Sequence, residues 1–286
     1  MKLSNAILRV VAVFVAVCLI QVIAGMLATL VIPVKIPIDA DMARHIFQWI
    51  FLTNAITVGV LSILALRTEW RGWQLGAAVA VLPLVIGLVN GVEGVVFLPN
   101  SPIPWARIFL EMAIATVFAV PVWMLLFGKR APSTDHHYHP IVEKARGERV
   151  WKFLLSDFSY IVFYMIAGTI IFPYVRDFYA TQKLPTAPQV FALELLVRGP
   201  ILVVLCLMMV RMLGLPRFEG ALVVAALFTL LTAVAPLLIP NPYFPDSVRW
   251  VHMGETTSSN FVFAALVAWL WGQPRPAQRV ALQQAA

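Results

Sequence analysis

Charge is what this chain has least of. Asp, Glu, Lys and Arg make up 12% of its 286 residues, against roughly a quarter in an ordinary soluble domain, while hydrophobic residues make up 61%. A water-facing surface cannot be built from that composition, so a soluble domain is excluded. Cysteine is nearly absent too: Cys18 and Cys206 both fall in apolar stretches, as small packing residues, with no CxxC pair and no disulfide framework. No phosphate-binding glycine loop, GxSxG elbow, HExxH pair or paired-histidine haem pattern occurs. The chain is that of an integral membrane protein without a familiar catalytic signature.

What is present is length in hydrophobic runs. About 20 apolar residues span a bilayer as a helix. Eight stretches qualify: Val10 to Ile32, Ile46 to Leu66, Leu75 to Leu98, Arg107 to Phe127, Trp151 to Phe172, Val190 to Val210, Gly220 to Ile239 and Val248 to Trp271. The first is too long for a signal-peptide core and lacks a cleavage site, so it reads as a retained span. One long polar link, containing Lys129, Arg130 and residues 133–149, separates the fourth from the fifth. Trp70, Trp73, Trp151, Trp269 and Trp271, and on the other side Trp105 and Trp250, form the expected interfacial belts.

Orientation follows from lysine and arginine, which concentrate on the cytoplasmic side. With both termini inside, the inner segments hold fourteen (Lys2, Arg9, Arg67, Arg71, Lys129, Arg130, Lys144, Arg146, Arg149, Lys152, Arg211, Arg217, Arg275, Arg279). The outer ones hold six: Lys35, Arg44, Arg107, Arg176, Lys183 and Arg249. The formal charge of +7 is thus a topology signal with some attraction to anionic lipid, and nucleic-acid binding is not implied. The expected location is a bacterial inner membrane.

An internal repeat underlies the spans. Ile23-Ala24-Gly25 recurs as Ile166-Ala167-Gly168. Further along, Phe47 matches Phe191, Arg67 matches Arg211, Gly76-Ala77 matches Gly220-Ala221, Glu111 matches Glu255 and Gly128 matches Gly272, while Pro99-Asn100 matches Pro240-Asn241. Each half has an even number of spans, so the copies share one orientation. The expected fold is an all-α membrane protein of eight helices, two parallel four-helix repeats about a pseudo-two-fold axis along the membrane normal. Residues 1–130 form the first repeat, 131–149 a cytoplasmic linker, 150–273 the second repeat and 274–286 a cytoplasmic tail.

Against this background the ionisable residues inside spans stand out, because a carboxylate at mid-bilayer costs about 2.5 to 3.5 kcal/mol on the insertion scale. Glu93, Glu111, Glu194 and Glu255 are the carboxylates, with Arg198 and His252 near them in sequence and Asn54, Asn90 and Asn260 as further polar groups. Glu111 and Glu255 each precede a cytoplasmic glycine by 17 residues, about 26 Å of helix. That places them near the outer face. Asp157 alone is assigned to a helix end. The rest lean to the outer half, which predicts a polar vestibule open to the periplasm. Glu194 and Arg198 are four apart, the spacing of an intrahelical pair that serves either packing or substrate clamping. Glu255 to Asn260 is polar on every face, so that segment needs protein or water around it. His252 and Glu255 are three apart and could hold a metal with Glu93, Glu111 or His45; a hydrogen-bonded interfacial histidine is the simpler reading. His136, His137 and His139 read as a solvated loop. Pro83, Gly87, Gly91, Gly94, Pro121, Pro200 and Pro236 suggest bent or broken helices around a cavity.

The leading functional expectation is a small-solute or ion permease, in one version proton-coupled, with Glu93, Glu111 and Glu255 as cation or proton sites and Arg198 as an anion clamp. The alternatives are a membrane-embedded enzyme acting on a lipid or isoprenoid at the outer leaflet, and an assembly subunit whose polar spans meet another chain or a second copy. The lipid bilayer is the one certain partner, and no cofactor is indicated. The charge asymmetry makes a direct prediction. In a background lacking Cys18 and Cys206, cysteines at Ser101 and Thr186 should react with an impermeant thiol reagent from outside and one at Ser133 should not; labelling of Ser133 would reverse the orientation.

Overall fold

A computed structural model describes residues 3–34, 40–98, 103–128, 146–182, 184–240 and 244–272, with backbone alone at 40–43, 45 and 146. The histidine cluster and most of the basic linker, the Pro99-Asn100 match and the C-terminal tail lie outside the described residues, as does the side chain of His45.

Among the described residues the chain forms eight long helices and no strand: α1 Leu3–Val31, α2 Ala40–Arg67, α3 Gly72–Phe97, α4 Trp105–Phe127, α5 Arg146–Tyr179, α6 Ala187–Leu213, α7 Arg217–Leu238 and α8 Asp246–Trp271. Seven, α1 to α7, are long and apolar enough to cross a bilayer. The eighth has the length, 26 residues, but its polar run dilutes it. The protein is an all-helical polytopic membrane protein. Prolines set several starts, since a residue with fixed φ and no N–H suits the end of a loop: Pro104, Pro216 and Pro245 immediately precede α4, α7 and α8. α6 closes on Gly214, whose left-handed φ of 60° lets its N–H return to the Val210 carbonyl.

Packing follows from small residues. Between apolar helices in lipid there is little hydrophobic drive, so association depends on close fit. Gly76, Gly87, Gly91 and Gly94 of α3 receive Met124, Met112, Phe109 and Trp105 of α4, each of which occupies the place where a Cβ would be. Contrary to the expectation of a broken helix at Pro83, Gly87, Gly91 and Gly94, α3 runs unbroken, and its glycines are sockets for α4. The same architecture recurs. α4 packs on α1 and α3, and α8 packs on α5 and α7. Arg9 Nη1 of α1 donates to the Leu126 carbonyl of α4 at 2.8 Å, and Lys152 Nζ of α5 donates to the Leu270 carbonyl of α8 at 3.0 Å. A Cβ on Gly25 would meet Glu111 Oε1 at 3.6 Å, and one on Gly168 would meet Glu255 Oε1 at 3.4 Å.

The central core forms from α2, α3, α6, α7 and α8, around Leu64, Leu82, Met209, Phe228 and Phe263, while few residues of α1 and α4 are fully buried. Two side chains depart from their expected interfacial positions. Arg249, counted as an outer loop charge, is fully buried: its Nη1 donates to the Leu237 and Leu238 carbonyls at 2.8 Å, capping α7, and Nη2 bonds Asp246. Trp271 is buried and donates its Nε1–H to Ser156 Oγ at 3.2 Å.

The socket packing predicts opposite responses to one substitution. Gly94→Ala, where the Trp105 ring must move, should lower stability by about 1 to 3 kcal/mol. Gly254→Ala, with no atom within 4 Å of its Cβ position, should be neutral or gain up to about 1 kcal/mol in helix propensity. Unfolding in detergent reads both; equal losses would contradict the packing.

Candidate functional site

The site begins with a proline. Pro200 in α6 has no N–H to continue the ladder, and its ring crowds the carbonyl four residues back. The turn before it widens to a π-helix, Glu194–Arg198, in which the Gly199 N–H reaches the Glu194 carbonyl. α7 does the same ahead of Pro236: Leu230–Val234 is π-helical and the Ala235 N–H reaches Leu230. Such turns leave carbonyls for other partners and are frequent at functional sites. Here two of them accept from the first half of the chain, and a side chain of the same turn accepts from α8. Thr53 of α2 donates to the Ala235 carbonyl at 3.1 Å, Asn90 of α3 donates to the Thr232 carbonyl at 3.4 Å, and Asn260 of α8 donates to Thr232 Oγ1 at 3.0 Å. Asn90 and Asn260 thus brace the widened turn of α7 from two sides.

The π turn of α6 carries the charged centre. Arg198 Nη1 lies 3.0 Å from both carboxylate oxygens of Glu194 and 2.8 Å from Glu93 Oε1, reaching across from the second half to α3 of the first. The Tyr160 hydroxyl hydrogen-bonds Glu194, and its ring lies 5.9 Å from the guanidinium. Tyr164 stands beside Tyr160, ring centroids 6.3 Å apart. Side-chain exposure falls from 29% at Glu93 to 7% at Arg198 and 0% at Glu194. The group is open at the Glu93 end and closed at the other.

A second chain of bonds adjoins it. His252 Nδ1 is 2.7 Å from Glu255 Oε2 and His252 Nε2 is 2.8 Å from the Tyr179 hydroxyl. A carboxylate only accepts, so in the neutral ring Nδ1 carries the proton and Nε2 accepts from Tyr179; a protonated ring donates on both sides. Glu93 interacts electrostatically with both Glu255 and His252, and Tyr179 with Glu93 and Glu255, so the two groups form one electrostatic unit.

Of the residues singled out in the sequence, Glu93, Glu194, Arg198, His252 and Glu255 converge here. Glu111 does not. It pairs with Arg107 at 3.7 Å, half-exposed against α1, where Arg107 Nη2 also donates to Thr29 at 2.9 Å. Asn54, at the position matching Arg198, is buried instead against α1, donating to Gln21 Oε1 at 2.7 Å. The polar run of α8 is partly self-satisfied: Thr256, Ser258 and Ser259 return their hydroxyls to carbonyls of the preceding turn. Both ring nitrogens of His252 are engaged, and among the described residues no three His, Cys, Asp or Glu side chains are grouped to hold a metal ion.

Tyr160, Tyr164 and Tyr179 did not emerge from sequence reasoning, and Asp157 did so only as a helix-end residue. Tyr160 and Tyr164 lie four apart on the face of α5 that meets α6, a spacing that could have been noticed beside Glu194 and Arg198. Asp157 is no helix-end residue, because α5 starts at Arg146. It is buried, with Oδ1 pressed on Gly199 and left without a hydrogen-bond partner. No protein-family model, curated protein or solved structure matches the chain.

The geometry separates two ion pairs that look alike in sequence. Glu194→Ala leaves a buried arginine short of its enclosed partner and should cost about 3 to 5 kcal/mol. Glu111→Ala, at a half-exposed pair, should cost no more than about 1 kcal/mol. Comparable melting losses for the two would refute the burial ranking.

Proposed function

We propose that the protein is a proton-coupled permease for a small solute in a bacterial inner membrane, with both termini cytoplasmic and the charged group facing the outer half of the bilayer. The observation that carries this reading is the count at Arg198: one guanidinium is shared by two carboxylates, with a third, Glu255, in electrostatic range. A net negative charge in a low-dielectric interior is costly, and the cost is relieved by taking up a proton or a cation. Glu93 is the carboxylate with access to the exterior of the group, and so is the one that exchanges protons. Tyr179, His252 and Glu255, already joined by hydrogen bonds, supply a relay beside it.

The parallel repeat is part of the same proposal. It is supported by the two equivalent lysine or arginine caps on α4 and α8, by the equivalent glycine contacts of Glu111 and Glu255, and by the equivalent packing of α4 and α8. Same-orientation copies also account for the contacts between halves. Glu93 with Arg198, Thr53 with Ala235 and Asn90 with Thr232 each join residues that the charge-based topology sets at similar depth. Parallel repeats with a polar site near their junction are a transporter arrangement.

A second reading has its own observation. Glu255 fixes the His252 proton on Nδ1 and leaves Nε2 against the Tyr179 hydroxyl, an arrangement suited to acid–base chemistry on a lipid at the outer leaflet. The readings part in proteoliposomes holding a pH-sensitive dye. A permease, offered pools of small solutes, should show solute-driven acidification of the lumen, and Glu93→Gln, which keeps the shape but cannot exchange a proton, should abolish it. Solute entry without proton movement, or coupling that survives Glu93→Gln, would overturn the proposal; turnover of the vesicle lipid dependent on His252 would establish the second reading.

A further inference from the structure

Arg198 makes all three of its carboxylate contacts through a single nitrogen. Nη1 serves Glu93 and both oxygens of Glu194, while Nε, in a residue only 6% exposed, is buried without a partner. A buried N–H is normally paired. The edge of a guanidinium formed by Nε and Nη2 is the one that matches the two oxygens of a carboxylate. The unpaired atom in this charged group is therefore a donor, which an anion satisfies and a cation cannot.

The two carboxylates on Arg198 are not equivalent. Glu194 is on the same helix and fully enclosed, held in addition by Tyr160. Glu93 comes from the other half of the chain, makes a single contact through Oε1 and keeps 29% of its side chain exposed. It is the one that can leave.

We propose that the charge of Glu93, held on Nη1 of Arg198, keeps a substrate carboxylate off the unpaired Nε edge of the same guanidinium, and that the solute carried is a small organic monocarboxylate. On this account, which rests on the proton-coupled reading above, Glu93 takes a proton and lets go of Arg198. The solute's carboxylate then docks on the Nε and Nη2 edge, with its carbon chain toward the rings of Tyr160 and Tyr164. Charge balances: Arg198 with two carboxylates carries one net negative charge, and adding one proton and one carboxylate leaves that sum unchanged. Solute and proton enter as an electroneutral pair: the proton neutralises the group, and only then is there room in its charge balance for the solute's carboxylate.

The test uses the full chain purified in detergent, with acetate, propionate and benzoate as probes, propionamide as the uncharged control and methylammonium as the cation. Carboxylates should bind saturably by calorimetry and by thermal shift, at least tenfold more tightly at pH 5.5 than at pH 7.5, with no effect of propionamide. Glu93→Gln, a neutral shape-mimic of the protonated residue, should bind at pH 7.5 as the unaltered protein does at pH 5.5. Arg198→Lys should lose binding at least tenfold; because that variant risks misfolding, Glu93→Gln is the decisive one. No saturable binding of any carboxylate at either pH, equal binding of propionamide, or a Glu93→Gln variant that keeps the pH dependence would overturn the inference. Saturable methylammonium binding without carboxylate binding would overturn it while leaving a proton- or cation-coupled permease standing. Carboxylate binding with the predicted pH dependence, but no solute-driven proton movement in vesicles, would uphold the site and remove the permease reading.

Discussion

A guanidinium placed inside a membrane protein constrains everything around it. Arg198 cannot be held in a low-dielectric interior without opposite charge at hydrogen-bond distance, and the fold supplies it from two directions. Glu194 comes from the turn below on α6, and Glu93 from α3 in the other half of the chain. The contact ties α3 to α6, and so the first half of the chain to the second. It also sets two carboxylates against one guanidinium.

The widened turns explain how the group is seated. Pro200 and Pro236 each force a π turn just before them, in α6 and α7. In α6 the turn brings Glu194 and Arg198 into line with α3 and α5; in α7 the Ala235 and Thr232 carbonyls accept from Thr53 and Asn90, while Asn260 donates to the Thr232 hydroxyl. The polar residues of α8 are tolerable for a related reason. Their hydroxyls are returned to the helix backbone, and Glu255 and Asn260 point inward, so a helix too polar to face lipid on all sides can still complete the bundle.

Much of this was legible in the sequence, and the boundary between legible and hidden is physical. The apolar runs fell on all eight helices, although only α1 to α7 are apolar enough to cross a bilayer, because a span in lipid must satisfy its own backbone. The four-residue spacing of Glu194 and Arg198 announced their pairing, since it is set by helix geometry alone. Glu93 as the third partner was hidden, because nothing local tells which helix lies opposite. Tyr179 was hidden for another reason: α5 runs on to Tyr179, past the end at Phe172 that hydropathy marks, through Pro173 and polar residues, and that extension delivers the hydroxyl to His252. Glu111 shows the reverse error. It matches Glu255 in its spacing from a later glycine and in having a glycine neighbour, yet Arg107, one turn earlier, engages it at the α1–α4 seam. A glycine's role likewise cannot be read from one strand of text, as the sockets of α3 show.

The account depends on the bond between Glu93 and Arg198 being an energetic link between the halves, and a double-mutant cycle measures it most directly. Unfolding free energies of the unaltered protein, Glu93→Gln, Arg198→Gln and the double variant, in detergent at neutral pH, should give a coupling energy of about 1 to 3 kcal/mol. Additivity within about 0.5 kcal/mol would mean that the two side chains do not hold each other, and would contradict the account at its centre.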